Sequence, residues 1–244
     1  MDFAPPANIH TNENARQRIT MTTLTTPPLA PLLERLFSEA EAPGSMRRTP
    51  ARAQTSSAER SAMMTSTREA DYRSFYFTAK DAYLAVSRDT AQLLYMLVRA
   101  TGARSVAEFG TSFGISTLHL AAGLRDNGGG RLITTEFEPS KAARARENFA
   151  AGGLADLIEL REGDALQTLA HDLPDRIDLV LLDGAKGLYT AVLELLEEHL
   201  NPGALVVADN ADRTPEYLEI VRSPSQGYTS VPFADDVELS MRTG

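Results

Sequence analysis

Two short runs of apolar residues in the second half of the chain constrain its fold most strongly. These are DLVLL at residues 178–182 and ALVVA at residues 204–208. An uninterrupted apolar run of this length is typical of a parallel strand that is buried on both faces. A stretch with helical spacing, residues 188–200, separates the two runs. Because strand–helix–strand units build parallel sheets covered by helices, the sequence predicts an α/β fold.

The same alternation extends towards the amino terminus. Three more strands are predicted, at residues 105–109, 131–136 and 157–161. Helices are predicted between and before them, at residues 116–124, 139–151, 70–102 and 28–41. The helix at 28–41 carries leucines on one face, and we expect this face to be a contact in a possible homodimer.

The chain divides into three parts by composition. Residues 1–25 are polar and aperiodic, which favours a disordered N-terminal arm. Residues 26–69 contain the first helix and then a segment rich in Ser, Thr, Pro and Arg, which predicts a solvated linker or a lid. In a lid, Arg47, Arg48 and Arg52 would face an acidic substrate. Residues 70–244 form the main α/β domain.

The composition excludes several classes of function. The chain has 244 residues, a net charge of -9, no cysteine and four histidines. An acidic chain disfavours binding to nucleic acid, and the lack of cysteine removes disulfides and thiolate chemistry. No apolar run approaches the length of a membrane helix, and the first residues do not resemble a secretion signal. We therefore expect a cytoplasmic protein that acts on a small molecule, without membrane or nucleic-acid partners.

Acidic residues follow four of the five predicted strands. Ligands of open parallel sheets bind at the carboxyl ends of the strands, so these residues mark the expected site. Glu136 ends the second strand, where a carboxylate can accept hydrogen bonds from both hydroxyls of a ribose. This position suits a nicotinamide cofactor or S-adenosylmethionine equally. Glu138 is an alternative for the same role, and either acid could instead cap a helix.

The residues after the last two predicted strands suggest a metal site. Asp183 follows one strand, and Asp209 and Asn210 follow the next. Carboxylate and amide oxygens are hard donors that suit Mg²⁺ or another divalent cation. Asp-Gly and Asp-Asn pairs are also common in simple turns, but their occurrence at two neighbouring strands favours the metal interpretation.

Lys186 stands three residues after Asp183. A nearby metal ion would disfavour its charged form, so that its neutral amine could take a proton from a substrate hydroxyl. The alternative is a solvated lysine at the start of a helix.

Taken together, these motifs resemble the class I S-adenosylmethionine-dependent methyltransferases, and more narrowly the metal-dependent catechol and caffeoyl-coenzyme A O-methyltransferases. The resemblance covers residues 70–244. Its motifs are YLAVSRDTAQLL, SVAEFGTSFGISTLHLA, RLITTEFEP, REGDA, DLVLLDGAKGLY, LVVADN and, near the end, the strand-like VELSMR. It implies a Rossmann-like fold with a mostly parallel seven-stranded sheet and helices on both faces.

The resemblance also implies roles for individual residues. Asp183, Asp209 and Asn210 would hold the cation, Lys186 would be the general base, and Asp183 would also border the cofactor. The other residues would bind S-adenosylmethionine: Val86, Ser87, Glu108, Gly110, Ser112 and Ser116 near its methionine half, Glu136 at the ribose, and Asp164 and Ala165 at the adenine. Tyr189 matches a family position without an assigned role.

The chain departs from the family after Asn210, where the segment that walls the substrate site is short. This predicts an open pocket, or one completed by the N-terminal arm or a second subunit. The chain has no tryptophan, so Phe75, Tyr76 and Tyr83 are candidates to wall the acceptor, although aromatic residues at this spacing also suit a core.

Three other functions compete with a metal-dependent O-methyltransferase. The first is a metal-independent methyltransferase acting on nitrogen or a lone hydroxyl. The second is a nicotinamide-dependent oxidoreductase, against which the absence of GxGxxG and Tyr-x-x-x-Lys motifs argues. The third is a non-catalytic protein that kept the fold.

Overall fold

A computed structural model describes residues 21–43, 56–67, 69–234 and 236–244. Its centre is a seven-stranded sheet with the order β3-β2-β1-β4-β5-β7-β6. The first five strands are parallel, and β7 runs antiparallel to both β5 and β6. The α/β class and the mostly parallel seven-stranded sheet are therefore confirmed.

The strands lie close to their predicted positions, and one was not predicted. β1 and β2 have the predicted bounds, whereas β3 is displaced by one residue and β6 was missed. The strands are β1 (Ser105–Phe109), β2 (Arg131–Glu136), β3 (Ile158–Glu162), β4 (Ile177–Leu182), β5 (Leu200–Ala208), β6 (Tyr228–Phe233) and β7 (Val237–Arg242).

The described part of the chain contains nine α-helices. They are α1 (Leu29–Glu41), α2 (Ser57–Thr65), α3 (Glu69–Thr78), α4 (Arg88–Thr101), α5 (Ile115–Asp126), α6 (Pro139–Ala151), α7 (Ala165–Thr168), α8 (Tyr189–Glu197) and α9 (Pro215–Val221). Helices α2, α7 and α9 were not predicted from the sequence. Within the described residues, none of these helices has the length and apolar character needed to cross a bilayer.

The sheet is covered by helices on both faces, as the alternation of buried strand residues requires. In β4, Leu179 and Leu181 pack with α1, α4, α5 and α6 on one face. Their neighbours Val180 and Leu182 pack with α8 and α9 on the other. All four side chains are fully buried. A strand that is covered on both faces needs a continuous apolar run, which explains why β4 was predictable.

The N-terminal boundary of the folded part differs from the prediction. Residues 1–20 lie outside the described residues, but the predicted disorder is wrong for residues 21–25. Thr23–Thr25 form a 3₁₀ turn, and Leu24 is buried. The Thr23 hydroxyl donates to Asp126 Oδ1 at 2.5 Å, and its backbone N–H reaches the same carboxylate at 3.1 Å. This contact anchors the segment to the end of α5.

The segment predicted as a linker or lid contains a helix. The Ser56 hydroxyl accepts the Glu59 N–H, and the Glu59 carboxylate accepts the Ser56 N–H, so α2 begins with a capping box. This helix was not predicted because its segment is mostly polar and has few apolar residues at helical spacing. Arg47, Arg48 and Arg52 lie outside the described residues.

Two predicted element bounds are wrong for identifiable reasons. The helix predicted over residues 70–102 is two helices, because residues 79–87 leave the helical path. Ser87 then starts α4 by accepting the Thr90 N–H at 3.0 Å. Leu200, predicted as the last residue of a helix, belongs to β5 instead. The proline at position 202 favours extended backbone in the residue before it.

The leucine face of α1 is not available for a dimer contact. Leu29, Leu32, Leu33 and Leu36 are all buried in the chain's own core, together with residues of α4, α5 and α6. The predicted role of this face as an intersubunit contact is therefore wrong. The helix instead covers the apolar surface of α5 and α6 of the same chain.

We expect Leu36→Ala to destabilise the protein by about 3 kcal/mol, because it removes a fully buried side chain and leaves a cavity. The measurement is urea unfolding followed by circular dichroism. Met96→Ala is the control, since Met96 is 55% exposed and its truncation should change the free energy of unfolding by less than about 0.5 kcal/mol. An equal effect of both substitutions would contradict the core position of α1.

Candidate active site

A glycine-containing turn follows β1 and opens the site. Gly110 has φ +106°, and a side chain at this position would collide with the backbone carbonyl of Asp183. The turn therefore approaches the end of β4 more closely than any other residue type allows. Ser112 also has a positive φ of 50°, so this short loop is bent tightly before α5 begins.

A cavity lies at the carboxyl ends of β1 to β4. Six of the predicted site residues line it together: Gly110, Ser112, Glu136, Asp164, Ala165 and Asp183. A smaller neighbouring cavity of about 200 Å³ shares Ser112 with the first and is also lined by Ser116. The structure thus brings the ends of separate strands to one place, as expected for an open parallel sheet.

Three predicted cofactor residues do not line either cavity. Val86 is buried in the core, and Ser87 caps α4. The Glu108 side chain is fully buried behind Ser116. The loop before α4 contributes other side chains instead, since Leu84 lines both cavities.

Glu108 organises the hydroxyl groups beneath the site. Its carboxylate accepts hydrogen bonds from Ser116 at 2.6 Å, Thr117 at 2.5 Å and Thr134 at 2.6 Å. Burial raises the pKa of Glu108 to about 7, although the three hydroxyl donors act in the opposite direction. The residue therefore ties the start of α5 to β2.

Glu136 and Glu138 have different environments, which distinguishes the two candidates for the ribose. Glu138 caps α6 by accepting the Lys141 N–H at 2.8 Å. Glu136 lines the cavity and accepts the N–H groups of Ser112 and Glu138, each at 2.8 Å. Burial raises the pKa of Glu136, while the nearby Lys141 opposes this shift.

Helices outside the predicted motifs close the cavity. Tyr72 and Tyr76 of α3 line it, and the Tyr72 hydroxyl donates to Asp164 Oδ2 at 2.7 Å. Lys141 lines it from α6. Of the aromatic candidates for the acceptor wall, Tyr76 faces this cavity and Tyr83 faces the smaller one, whereas Phe75 packs in a core cluster. Tyr72 was not among the predicted wall residues.

A buried charged cluster lies at the ends of β4 and β5. Lys186 Nζ donates to Asp183 Oδ1 at 3.0 Å, to the Tyr189 hydroxyl at 2.7 Å and to the Asp209 carbonyl at 3.2 Å. The Tyr189 hydroxyl donates to the same carbonyl at 2.8 Å. Lys186 is thus a buried group with three acceptors, and not a solvated lysine.

The two acids of this cluster interact directly. Burial raises the pKa of Asp183, and burial together with the negative charge of Asp183 raises the pKa of Asp209 to about 8. Two buried carboxyl groups this close are stabilised by sharing a proton or by a cation.

Asn210 completes the predicted trio. It has φ 50°, and its side-chain amide donates to Asp236 Oδ2 at 3.0 Å, which leaves its amide oxygen as an acceptor. Among the residues that the structure describes, no group of three or more His, Cys, Asp or Glu side chains could hold a metal ion. A cation here would therefore rely on two carboxylates and one amide oxygen.

The fold and the site together are those of a Rossmann-like enzyme with an acidic pocket at the strand ends. A sequence model of the O-methyltransferase family matches residues 54–224, and the chain belongs to this family.

The chain is similar to several named relatives. It is 33% identical over 139 residues to a catechol O-methyltransferase of Niastella koreensis, covering 56% of this chain and 62% of that protein. It is 37% identical over 130 residues to a catechol O-methyltransferase of Mycobacterium tuberculosis, covering 53% and 58%. The matched region thus spans about three fifths of the length of these relatives.

Solved structures show the same fold. The O-methyltransferase TomG of Streptomyces achromogenes, solved with S-adenosylmethionine, has a TM-score of 0.60 and 25% identity, covering 87% of this chain and 96% of that one. An O-methyltransferase of Bacillus cereus has a TM-score of 0.60 and 23% identity, covering 78% and 93%.

We expect Glu108→Gln to change how stability depends on pH. In the folded protein the Glu108 carboxyl keeps its proton up to about pH 7, whereas in the unfolded chain it loses it near 4.5. The folded state therefore binds more protons in this window, and the free energy of unfolding decreases as the pH rises. Glutamine removes this contribution, so the variant should gain up to about 3 kcal/mol relative to wild type between pH 5 and pH 8.

Urea unfolding at several pH values measures this difference. Glu194→Gln, at an exposed position on α8, is the control and should leave the pH dependence unchanged. A constant difference between Glu108→Gln and wild type across this range would show that Glu108 is ionised in the folded protein.

Proposed function

We propose that the protein transfers a methyl group from S-adenosylmethionine to a hydroxyl of a small, catechol-like acceptor, with the help of a divalent cation such as Mg²⁺. The observation that carries this proposal is the buried Lys186–Asp183–Asp209 cluster at the edge of a cavity lined by Glu136. Family membership and the names of the relatives support it. A nicotinamide cofactor would have no use for this cluster.

The residues that line the cavity suit the proposed cofactor chemically. S-adenosylmethionine would supply a methyl group carried on a positively charged sulfur. Glu136 offers carboxylate oxygens to the ribose hydroxyls, and Asp164 and Ala165 form the wall assigned to the adenine. The bare backbone at Gly110 allows a ligand to approach the strand ends closely. Asp183 adds negative charge, which favours a cationic ligand.

The acidic trio fits a hard divalent cation. Burial and the negative charge of Asp183 raise the pKa of Asp209, so that a cation bound beside the two acids would favour their ionised forms. With Asn210 they present oxygen donors only. A cation held by them would act as a Lewis acid towards the acceptor oxygens.

Lys186 is the proposed general base. Its Nζ lies at the boundary of the trio and is held by Asp183, Tyr189 and the Asp209 backbone. A cation bound in the trio would disfavour the charged form of Lys186, and the neutral amine could then accept the proton of an acceptor hydroxyl, leaving the oxygen to attack the methyl group. Tyr189 and the Asp209 carbonyl hold Nζ in one direction, and this fixed position would favour proton transfer from the acceptor hydroxyl.

One observation favours a metal-independent variant of this function. Lys186 already pairs with Asp183, so part of the negative charge of the trio is neutralised by the chain itself. In that variant the trio would be structural, and the acceptor would need no second oxygen.

A methyl-transfer assay followed by mass spectrometry tests the proposal. Catechol and a phenol with a single hydroxyl are each incubated with S-adenosylmethionine, with Mg²⁺ or with excess EDTA. We expect product only from catechol and only with Mg²⁺. Product that persists in EDTA would favour the metal-independent function, and NADH binding without S-adenosylhomocysteine binding would contradict methyl transfer.

We expect Asp183→Asn and Glu136→Gln to separate catalysis from cofactor binding. Asp183→Asn should lower turnover at least about 100-fold with little change in the affinity for S-adenosylhomocysteine, because it acts on the cation and on Lys186. Glu136→Gln should weaken that affinity by about tenfold, since it removes a charged acceptor for the ribose.

Isothermal titration calorimetry gives the affinities, and the methyl-transfer assay gives the rates. Glu194→Gln serves as the control for both. Equal losses of affinity in the two site variants would contradict this division of roles.

A further inference from the structure

A second cavity is lined by Lys186 and Gly187, in the same loop whose Asp183, Gly184 and Ala185 line the cofactor cavity. It is an open groove with about 910 Å³ of empty space. The end of α2 forms one wall, the loop after β4 forms the floor, and the segment after β5 forms the opposite wall. Residues from these three elements are Thr65 and Thr67, Lys186 and Gly187, and Arg213 and Glu216. The groove therefore begins at the proposed base.

The walls of this groove are fixed by close backbone contact. A side chain at Gly187 would collide with the backbone carbonyls of Thr65 and Ser66. The end of α2 thus rests directly on the loop that carries Lys186. On the opposite wall, the 3₁₀ turn Ala211–Arg213 follows Asn210 immediately. Both walls are therefore attached to elements of the proposed site.

Arg213 is an exposed arginine that lines this groove without an acidic partner among the described residues. Its Nη1 lies 3.9 Å from Sδ of Met64. Within the described part of the chain, it forms no ion pair with a carboxylate, and Glu216 in the same groove does not pair with it. Many other arginines are paired with acids; examples are Arg88, Arg125, Arg131, Arg144, Arg146, Arg161, Arg222 and Arg242.

We propose that Arg213 binds a carboxylate on the methyl acceptor, so that the preferred acceptors are aromatic acids with two adjacent hydroxyls. This inference rests on the proposed function and names its substrate class. An acceptor whose hydroxyl meets Lys186 extends along the groove, which leads to Arg213. The planar guanidinium offers two parallel N–H donors that match a carboxylate.

The charge of the rest of the protein makes this arginine decisive for an acidic acceptor. The chain has a net charge of -9, and Asp212 and Glu216 flank Arg213 in the sequence. A negatively charged acceptor is repelled by such surroundings unless one group compensates. Lys186 and Arg213 are the two cationic residues among the described residues that line the groove, and Lys186 is already paired with Asp183. The removal of Arg213 should therefore affect acidic acceptors selectively.

The test compares 3,4-dihydroxybenzoate with neutral catechol as methyl acceptors. We expect wild type to have a higher kcat/KM for the acid. Arg213→Gln should lower kcat/KM for 3,4-dihydroxybenzoate by about tenfold and leave catechol within about twofold. Arg213→Glu should reverse the preference, favouring the cationic catechol dopamine over the acid. Catechol reports whether each variant is folded and active.

Arg176→Gln is the matched control, because Arg176 is exposed at the opposite end of β4 from the site. It should leave the ratio between the two acceptors unchanged. An unchanged ratio in Arg213→Gln, or an equal loss on both acceptors, would overturn the inference while methyl transfer itself stands. Failure of wild type to methylate either acceptor would instead count against the proposed function, and a wild-type preference for catechol would overturn the inference alone.

Discussion

The pairing of β4 with β5 is the constraint on which the site depends. Leu182 lies opposite Ala208, and the next residue of each strand is an aspartate. Backbone hydrogen bonds hold these residues in place, since the Asp209 N–H donates to the Leu182 carbonyl and the Asp183 N–H to the Phe109 carbonyl. Parallel register therefore forces two acids together in a buried place. The lysine between them, and the proposed cation, are consequences of this enforced proximity.

One loop serves both cavities of the protein. Residues 183–188 present Asp183 to the cofactor cavity and Lys186 to the open groove. The helices α2 and α3 lie over the two sides, with Tyr72 tied to Asp164 and the end of α2 resting on Gly187. Both cavities thus border the same short stretch of backbone, which carries the proposed base.

The strands and the acids at their ends could be predicted because their signals are local. β4 needs an apolar run because it is covered on both faces. Asp183 and Asp209 could be predicted to lie near each other because they follow two neighbouring parallel strands. Other features depend on contacts that no local pattern encodes. Glu108 looks like a pocket residue in sequence, yet three hydroxyls from two elements hold it in the core. Likewise, tertiary packing places α2 and α3 at the cavities, and of their residues only Tyr76 was both predicted as a wall residue and found in the lining of the cofactor cavity.

The burial of α1 has a consequence for how the limits of this domain are drawn. The family match begins at residue 54, whereas Leu29 and Leu36 already belong to the same core as β1 and β4. A boundary placed by sequence similarity would cut through this core and leave α5 and α6 with bare apolar surfaces. Such a fragment would be expected to aggregate although every proposed site residue is present. The stretch of chain that forms this core therefore begins before the stretch that the family model matches.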